Sequence, residues 1–127
     1  MSKFSFMVVD DSLITQRKLS QLLEELGHSV AGTCVNGQQA CEKYIQLKPD
    51  LVTMDITMPV MDGIEATKKI IESDPEAVVV MVTSHGQKQT VIDAIGAGAK
   101  GYILKPFYRD NVAQTLNKVI NKYLNKE

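Results

Sequence analysis

Side chains able to handle a charged group fall at four places in the 127 residues: Asp10-Asp11, Asp55, Thr83-Ser84 and Lys105-Pro106. Each follows directly on a short apolar run. If those runs are parallel strands, the polar groups collect at the carboxyl edge of one sheet, and ligands bind there where the strand order reverses. Three carboxylates in such a crevice repel one another, each close pair by about 4 kcal/mol at an effective dielectric of roughly 20, so a cation or a proton must accompany them. An all-oxygen donor set selects a hard metal. Mg²⁺ takes one or two carboxylates, keeps several waters and completes its shell with phosphate oxygens. Lys105 adds a point positive charge and the Thr83 hydroxyl a donor, so the set could stabilise charge on a transferring phosphoryl group.

The elements that must position these groups are legible as alternation. Strand-length apolar runs occur at Phe6 to Val9, Val30 to Val35, Leu51 to Met54, Ala77 to Val82 and Tyr102 to Leu104, each separated from the next by a helix-length segment. That pattern predicts an α/β fold on a parallel sheet. In the first helical segment Leu19, Leu22, Leu23 and Leu26 share one face, and Gly27 supplies a stop. Asn36 is the expected N-cap of a second helix that ends by Lys48, because Pro49 disfavours helical geometry in the residue before it. Gly63 to Ser73 makes a third, with Ile64, Thr67, Ile70 and Ile71 on one side. Gln87 to Ala97 makes a fourth, broken by the Gly98-to-Gly101 stretch. Asp110 to Tyr123 makes a fifth, striped by Val112, Leu116, Val119, Ile120 and Tyr123. The length suits one domain, with no repeat or linker, and Asn125-Lys126-Glu127 reads as a frayed end.

Composition excludes several classes. Lys plus Arg number 14 and Asp plus Glu 15, a net charge of -1, so there is no broad attraction to nucleic acid or an anionic membrane. The start lacks the pattern of a secretory signal and no run approaches the roughly 20 apolar residues that span a bilayer, which makes the cytoplasm the expected location. Cys34 and Cys41 form no CxxC pair and read as packed thiols. Taken singly, Asp10-Asp11 could be a helix cap, Asp62 a support for the turn before Gly63, and His28 a loop histidine without chemistry. Met54, Met58, Met61 and Met81 read as packing.

Four stretches carry a resemblance: Val8-Val9-Asp10-Asp11-Ser12, the run from Met54-Asp55-Ile56-Thr57-Met58-Pro59 to Val60-Met61-Asp62-Gly63, Val82-Thr83-Ser84, and Lys105-Pro106-Phe107. In order and spacing, over nearly the whole chain, they resemble response-regulator receiver domains of two-component signalling, stand-alone CheY-like members among them. The resemblance implies a single (βα)5 doubly wound domain over residues 1–127 with no effector domain. It also implies a five-stranded parallel sheet of order 2-1-3-4-5, flavodoxin/CheY-like, with helices on both faces. Asp55 would then be the nucleophile that becomes an aspartyl phosphate. Asp11 and Asp55 would ligate Mg²⁺, with Mn²⁺ a possible substitute, Asp10 would act mainly through a water, and the Thr57 backbone carbonyl would complete the protein's share. Lys105 would pair with the phosphoryl group, its bond to Pro106 being cis. Thr83 and Tyr102 would be the switch pair that changes the surface of the fourth helix, fifth strand and fifth helix. Thr57 and His85 would tune the phosphoryl lifetime, and the imidazole predicts a pH-sensitive dephosphorylation.

The partners so implied are a sensor histidine kinase as phosphodonor and a downstream protein, either a flagellar motor switch component, as in chemotaxis, or the next phosphotransfer protein of a relay. The chain is expected to act as a monomer, to bind no nucleic acid, to insert in no membrane, and to be a signalling domain rather than a conventional enzyme. His85 departs from the acidic residue common in chemotaxis members. Three alternatives stand beside this reading. A haloacid-dehalogenase-like phosphatase would carry a second Asp two residues after the nucleophile, where this chain has Thr57. A flavodoxin-like redox module would need a Gly- or Ser/Thr-rich phosphate loop where Asp10-Asp11 stands. The third is a receiver-like binding module that is never phosphorylated.

Overall fold

The computed structural model describes residues 3–125. Strands and helices alternate along it: β1 (Ser5–Val9), α1 (Leu13–Glu25), β2 (Ser29–Cys34), α2 (Gly37–Leu47), β3 (Leu51–Met54), α3 (Gly63–Ser73), β4 (Val79–Thr83), α4 (Lys88–Gly96), β5 (Gly101–Leu104) and α5 (Arg109–Tyr123). The strands form one parallel sheet in the order β2-β1-β3-β4-β5, so the reversal lies between β1 and β3, as expected.

The three central strands, β1, β3 and β4, are buried on both faces, which is why they read as continuous apolar runs, while β2 and β5 at the edges are only partly buried. Side chains alternate between two cores. Phe6, Val8, Val80, Val82 and Ile103 point to one face, where they meet Leu19 and Leu23 of α1 and Val112, Leu116, Val119 and Ile120 of α5. Met7, Val9, Val52, Met54, Val79 and Met81 point to the other, against Ala40 and Tyr44 of α2, Ala66 and Ile70 of α3 and Ala94 of α4. Leu22, Leu26 and Tyr123 are only half buried at the edge of the first core.

Local signals set the element ends. Ser12, Asn36 and Asp62 cap α1, α2 and α3 through side-chain oxygens that accept the amides of Thr15, Gln39 and Glu65. Gly27 stops the first helix at φ 94, and Lys48 closes the second in the left-handed region at φ 47, just before Pro49. Several boundaries differ from expectation by one residue, and β4 differs most. β4 begins at Val79, not Ala77, because Ala77 hydrogen-bonds back to Asp74 in the turn after α3; and it extends through Thr83, whose carbonyl accepts the Lys105 amide at 2.9 Å. The end of the chain is more ordered than a frayed tail at its first residue: the Asn125 amide donates to Ile120 at 2.8 Å, while Lys126 and Glu127 lie outside the described residues.

Candidate functional site

The carboxyl ends of β1, β3, β4 and β5 bring the polar residues to one rim. Asp10, Asp11 and Asp55 each offer a carboxylate oxygen within 4.8 Å of the others'. Asp10 and Asp55 are buried, at 3% and 7% exposure, whereas Asp11 is exposed, so the cluster has a dry floor and an open mouth. Lys105 reaches across it: its Nζ lies 2.8 Å from Asp10 Oδ2 and 3.5 Å from Asp55 Oδ2.

Backbone donors fix the two buried acids. Asp10 Oδ1 accepts the Ser12 amide at 2.9 Å, and Asp55 Oδ1 accepts the Ile56 amide at 2.8 Å. Asp55 is itself held to β1 by its amide, which donates to the Val9 carbonyl at 3.0 Å. Gly63 lets α3 begin directly against this point: a Cβ there would stand 2.0 Å from the Asp55 carbonyl oxygen. The Lys105-Pro106 peptide is cis, as the resemblance implied.

Electrostatics follow from burial and charge. Desolvation pushes the Asp55 carboxyl above the ordinary carboxylate range; Lys105 pulls it back, and neighbouring Asp10 adds to the rise. For Lys105 burial acts to lower the ammonium's pKa, but the hydrogen bond to Asp10 and the charges of Asp55 and Asp10 outweigh it, so the net shift is upward. The pocket therefore holds a cation firmly and carries an excess of anionic oxygen. That donor set fits a hard divalent ion.

The remaining sequence-predicted residues form a second group beside the first. Thr83 is wholly buried at the end of β4, and its Oγ1 accepts the His85 amide at 3.4 Å. The Thr57 hydroxyl and His85 Nε2 share a hydrogen bond of 2.6 Å, so the two expected tuning positions touch each other across the β3–α3 and β4–α4 loops. The Tyr102 hydroxyl donates to the His85 carbonyl, with its ring half buried against the core under α2, α3 and α4.

Asp10-Asp11 does not cap α1; Ser12 does. Asp62 caps α3 and His28 sits in the α1–β2 turn, where its Nδ1 accepts the Phe4 amide at 3.3 Å. Both thiols are free, Cys34 buried and Cys41 half buried. Sequence reasoning missed Gln16, which is buried beneath the acidic pair and hydrogen-bonds to the Asp10 carbonyl. The available signal was its place on the apolar stripe, three and seven residues before Leu19 and Leu23.

These features define a doubly wound α/β protein whose strand-end pocket gathers three carboxylates beside one ammonium. Comparison with known proteins specifies it further. A family model for the response regulator receiver domain matches residues 6–117. The chemotaxis protein CheY of Thermotoga maritima is 48% identical over 113 residues, covering 89% of this chain and 94% of that protein. CheY of Bacillus subtilis is 47% identical over 115 residues, 91% and 96% of the two chains. Among solved structures, CheY of Borrelia burgdorferi in its complex with CheX, BeF3 and Mg²⁺ superposes with a TM-score of 0.90 at 39% identity, over 92% of this chain and 89% of that one. The chain belongs to the response regulator receiver domain family and is a phosphorylatable response regulator of two-component signalling. No helix among the described residues is long and apolar enough to cross a membrane.

Proposed function

We propose that Asp55 accepts a phosphoryl group from a histidine kinase and that the resulting aspartyl phosphate switches the binding of a chemotaxis partner at the face formed by α4, β5 and α5. The observation that carries the site assignment is the convergence on Asp55: a buried carboxylate with Asp10 and Asp11 within 4.8 Å and the Lys105 ammonium at 3.5 Å. An Asp55 carboxylate oxygen forms the new P–O bond while the N–P bond of the phosphohistidine breaks; the imidazole leaves with that electron pair. Asp11 and Asp55, with the Thr57 backbone carbonyl, would hold Mg²⁺, and Asp10 would act through a water. The bound ion would supply charge neutralisation on the phosphoryl oxygens. Lys105 is placed to leave Asp10 for the new anion, since its ammonium already lies within reach of both carboxylates. Thr83 offers the hydroxyl donor on the far side.

Release of Thr83 from the His85 amide and reorientation of Tyr102, which is tied to the His85 carbonyl, would carry the change outward. Ile92 and Ile95 on α4 and Leu104 on β5 stand 51%, 60% and 48% exposed, an apolar surface suited to a protein partner. Chemotaxis is favoured over a relay by the CheY relatives. The Thr57 hydroxyl and His85 Nε2 share a hydrogen bond of 2.6 Å, and His85→Ala is expected to change the dephosphorylation rate.

Incubation with acetyl phosphate, with and without Mg²⁺, followed by intact mass tests the assignment. A Mg²⁺-dependent phosphoryl adduct that disappears in Asp55→Asn is expected. An undiminished adduct in that variant would overturn it.

A further inference from the structure

Gln16 is one of few polar side chains in the interior, at 6% exposure, and lies on the face of α1 that otherwise carries Leu19 and Leu23. Its Nε2 spends both protons on backbone carbonyls, that of Asp10 at 2.7 Å and that of Cys34 at 2.8 Å. The Cys34 carbonyl also accepts the Asp10 amide at 3.0 Å. One carboxamide thus ties the start of α1 to the carboxyl ends of β1 and β2.

The tie matters most for Asp11. Asp10 has its own side-chain restraints, in the Ser12 amide and Lys105. The exposed Asp11 carboxylate makes no hydrogen bond or ion pair with a described residue. With no partner to hold the side chain, what the fold controls is the direction in which the backbone aims its Cα–Cβ bond toward Asp10 and Asp55. Because the peptide group is planar, holding the Asp10 carbonyl fixes the plane that leads into Asp11.

We propose that Gln16 is a positioning residue for the divalent cation site, orienting the Asp10–Asp11 peptide so that the Asp11 carboxylate is presented to the metal. The inference rests on the metal reading given above. Groups of this kind, one bond removed from the ligands, typically alter metal affinity by about 10- to 100-fold when lost.

The test is Mg²⁺ binding by isothermal titration calorimetry on the unphosphorylated full chain, with no phosphodonor present, alongside thermal unfolding in chelator. Gln16→Met keeps the length of the side chain and removes both donors; it is expected to raise the Kd for Mg²⁺ about tenfold or more. Gln16→Asn keeps the amide but falls a methylene short, which guards against a variant that fails to fold, and it is expected to weaken Mg²⁺ in the same direction. Gln38→Met is the control: Gln38 is exposed on α2, where its Nε2 donates to Glu42 at 3.0 Å, and its loss should leave the Kd unchanged. If folded Gln16→Met or Gln16→Asn binds Mg²⁺ within twofold of the parent, Gln16 only fastens a helix to a sheet and the inference is overturned. Absence of Mg²⁺ binding by the parent chain would instead sink the metal reading itself.

Discussion

Two buried oxygens show how individual residues trade stability against the site. Thr53 sits on β3 two residues before Asp55, and its hydroxyl is buried without a hydrogen-bond partner among the described residues. An unsatisfied buried hydroxyl is destabilising, so Thr53→Val, close in shape, is predicted to stabilise the protein by about 1 kcal/mol, read as a shifted midpoint in urea with unchanged slope. Asp55 raises the same issue with a charge. Since burial lifts its carboxyl above the usual range, the native state binds more protons than the unfolded chain between the ordinary and the lifted value. Stability contributed below that window is lost as pH rises through it, and at neutral pH the ionised group weakens the metal-free fold. Asp55→Asn is therefore expected to melt higher than the parent in chelator; a lower melting temperature would contradict this account.

At the scale of the elements, caps and close approaches decide where helices begin. Asn36 Oδ1 accepts the Gln39 amide at 2.8 Å, and Asn36→Ala should cost about 1 kcal/mol, measured by chemical denaturation. Gly63 and Gly96 make a contrasting pair. A methyl at Gly63 would collide with the Asp55 backbone, whereas nothing lies within 4 Å of one at Gly96. Gly63→Ala should thus both destabilise the fold and weaken Mg²⁺ binding, while Gly96→Ala should be neutral or gain roughly 0.5 kcal/mol from helix propensity. The α1–β2 turn carries its own pH response. His28 is packed against the rings of Phe4 and Phe6, at 5.9 and 5.1 Å between centroids, and burial lowers its pKa. The unfolded chain then takes up the proton first, so this contribution is complete above about pH 6.5 and is lost as pH falls below it. Urea midpoints of the parent should fall over that range more steeply than those of His28→Gln.

For the whole molecule, a ligand that binds only the folded state adds stability by mass action, about 2.7 kcal/mol at a hundred times its Kd. Mg²⁺ should accordingly raise the melting temperature of the parent and do so far less for Asp55→Asn. Much of this architecture was legible in advance. Strands buried on both faces, such as Leu51–Met54, announce themselves as unbroken apolar runs, and the acids and Lys105 fall at strand ends where only topology is needed to unite them. What stayed hidden depends on side-chain direction: that Lys105 bridges two carboxylates, that Thr57 meets His85, and that Gln16 points inward. The bridging lysine has a consequence for electrophoresis. Three carboxylates and one ammonium would leave two negative charges, which the proposed divalent ion would cancel, making the resting pocket neutral under that reading. Under the proposed chemistry an acyl phosphate dianion replaces one carboxylate, and the whole molecule becomes more acidic by a single charge. On a chain whose formal net charge is -1, that step should separate signalling from resting molecules in an isoelectric focusing gel.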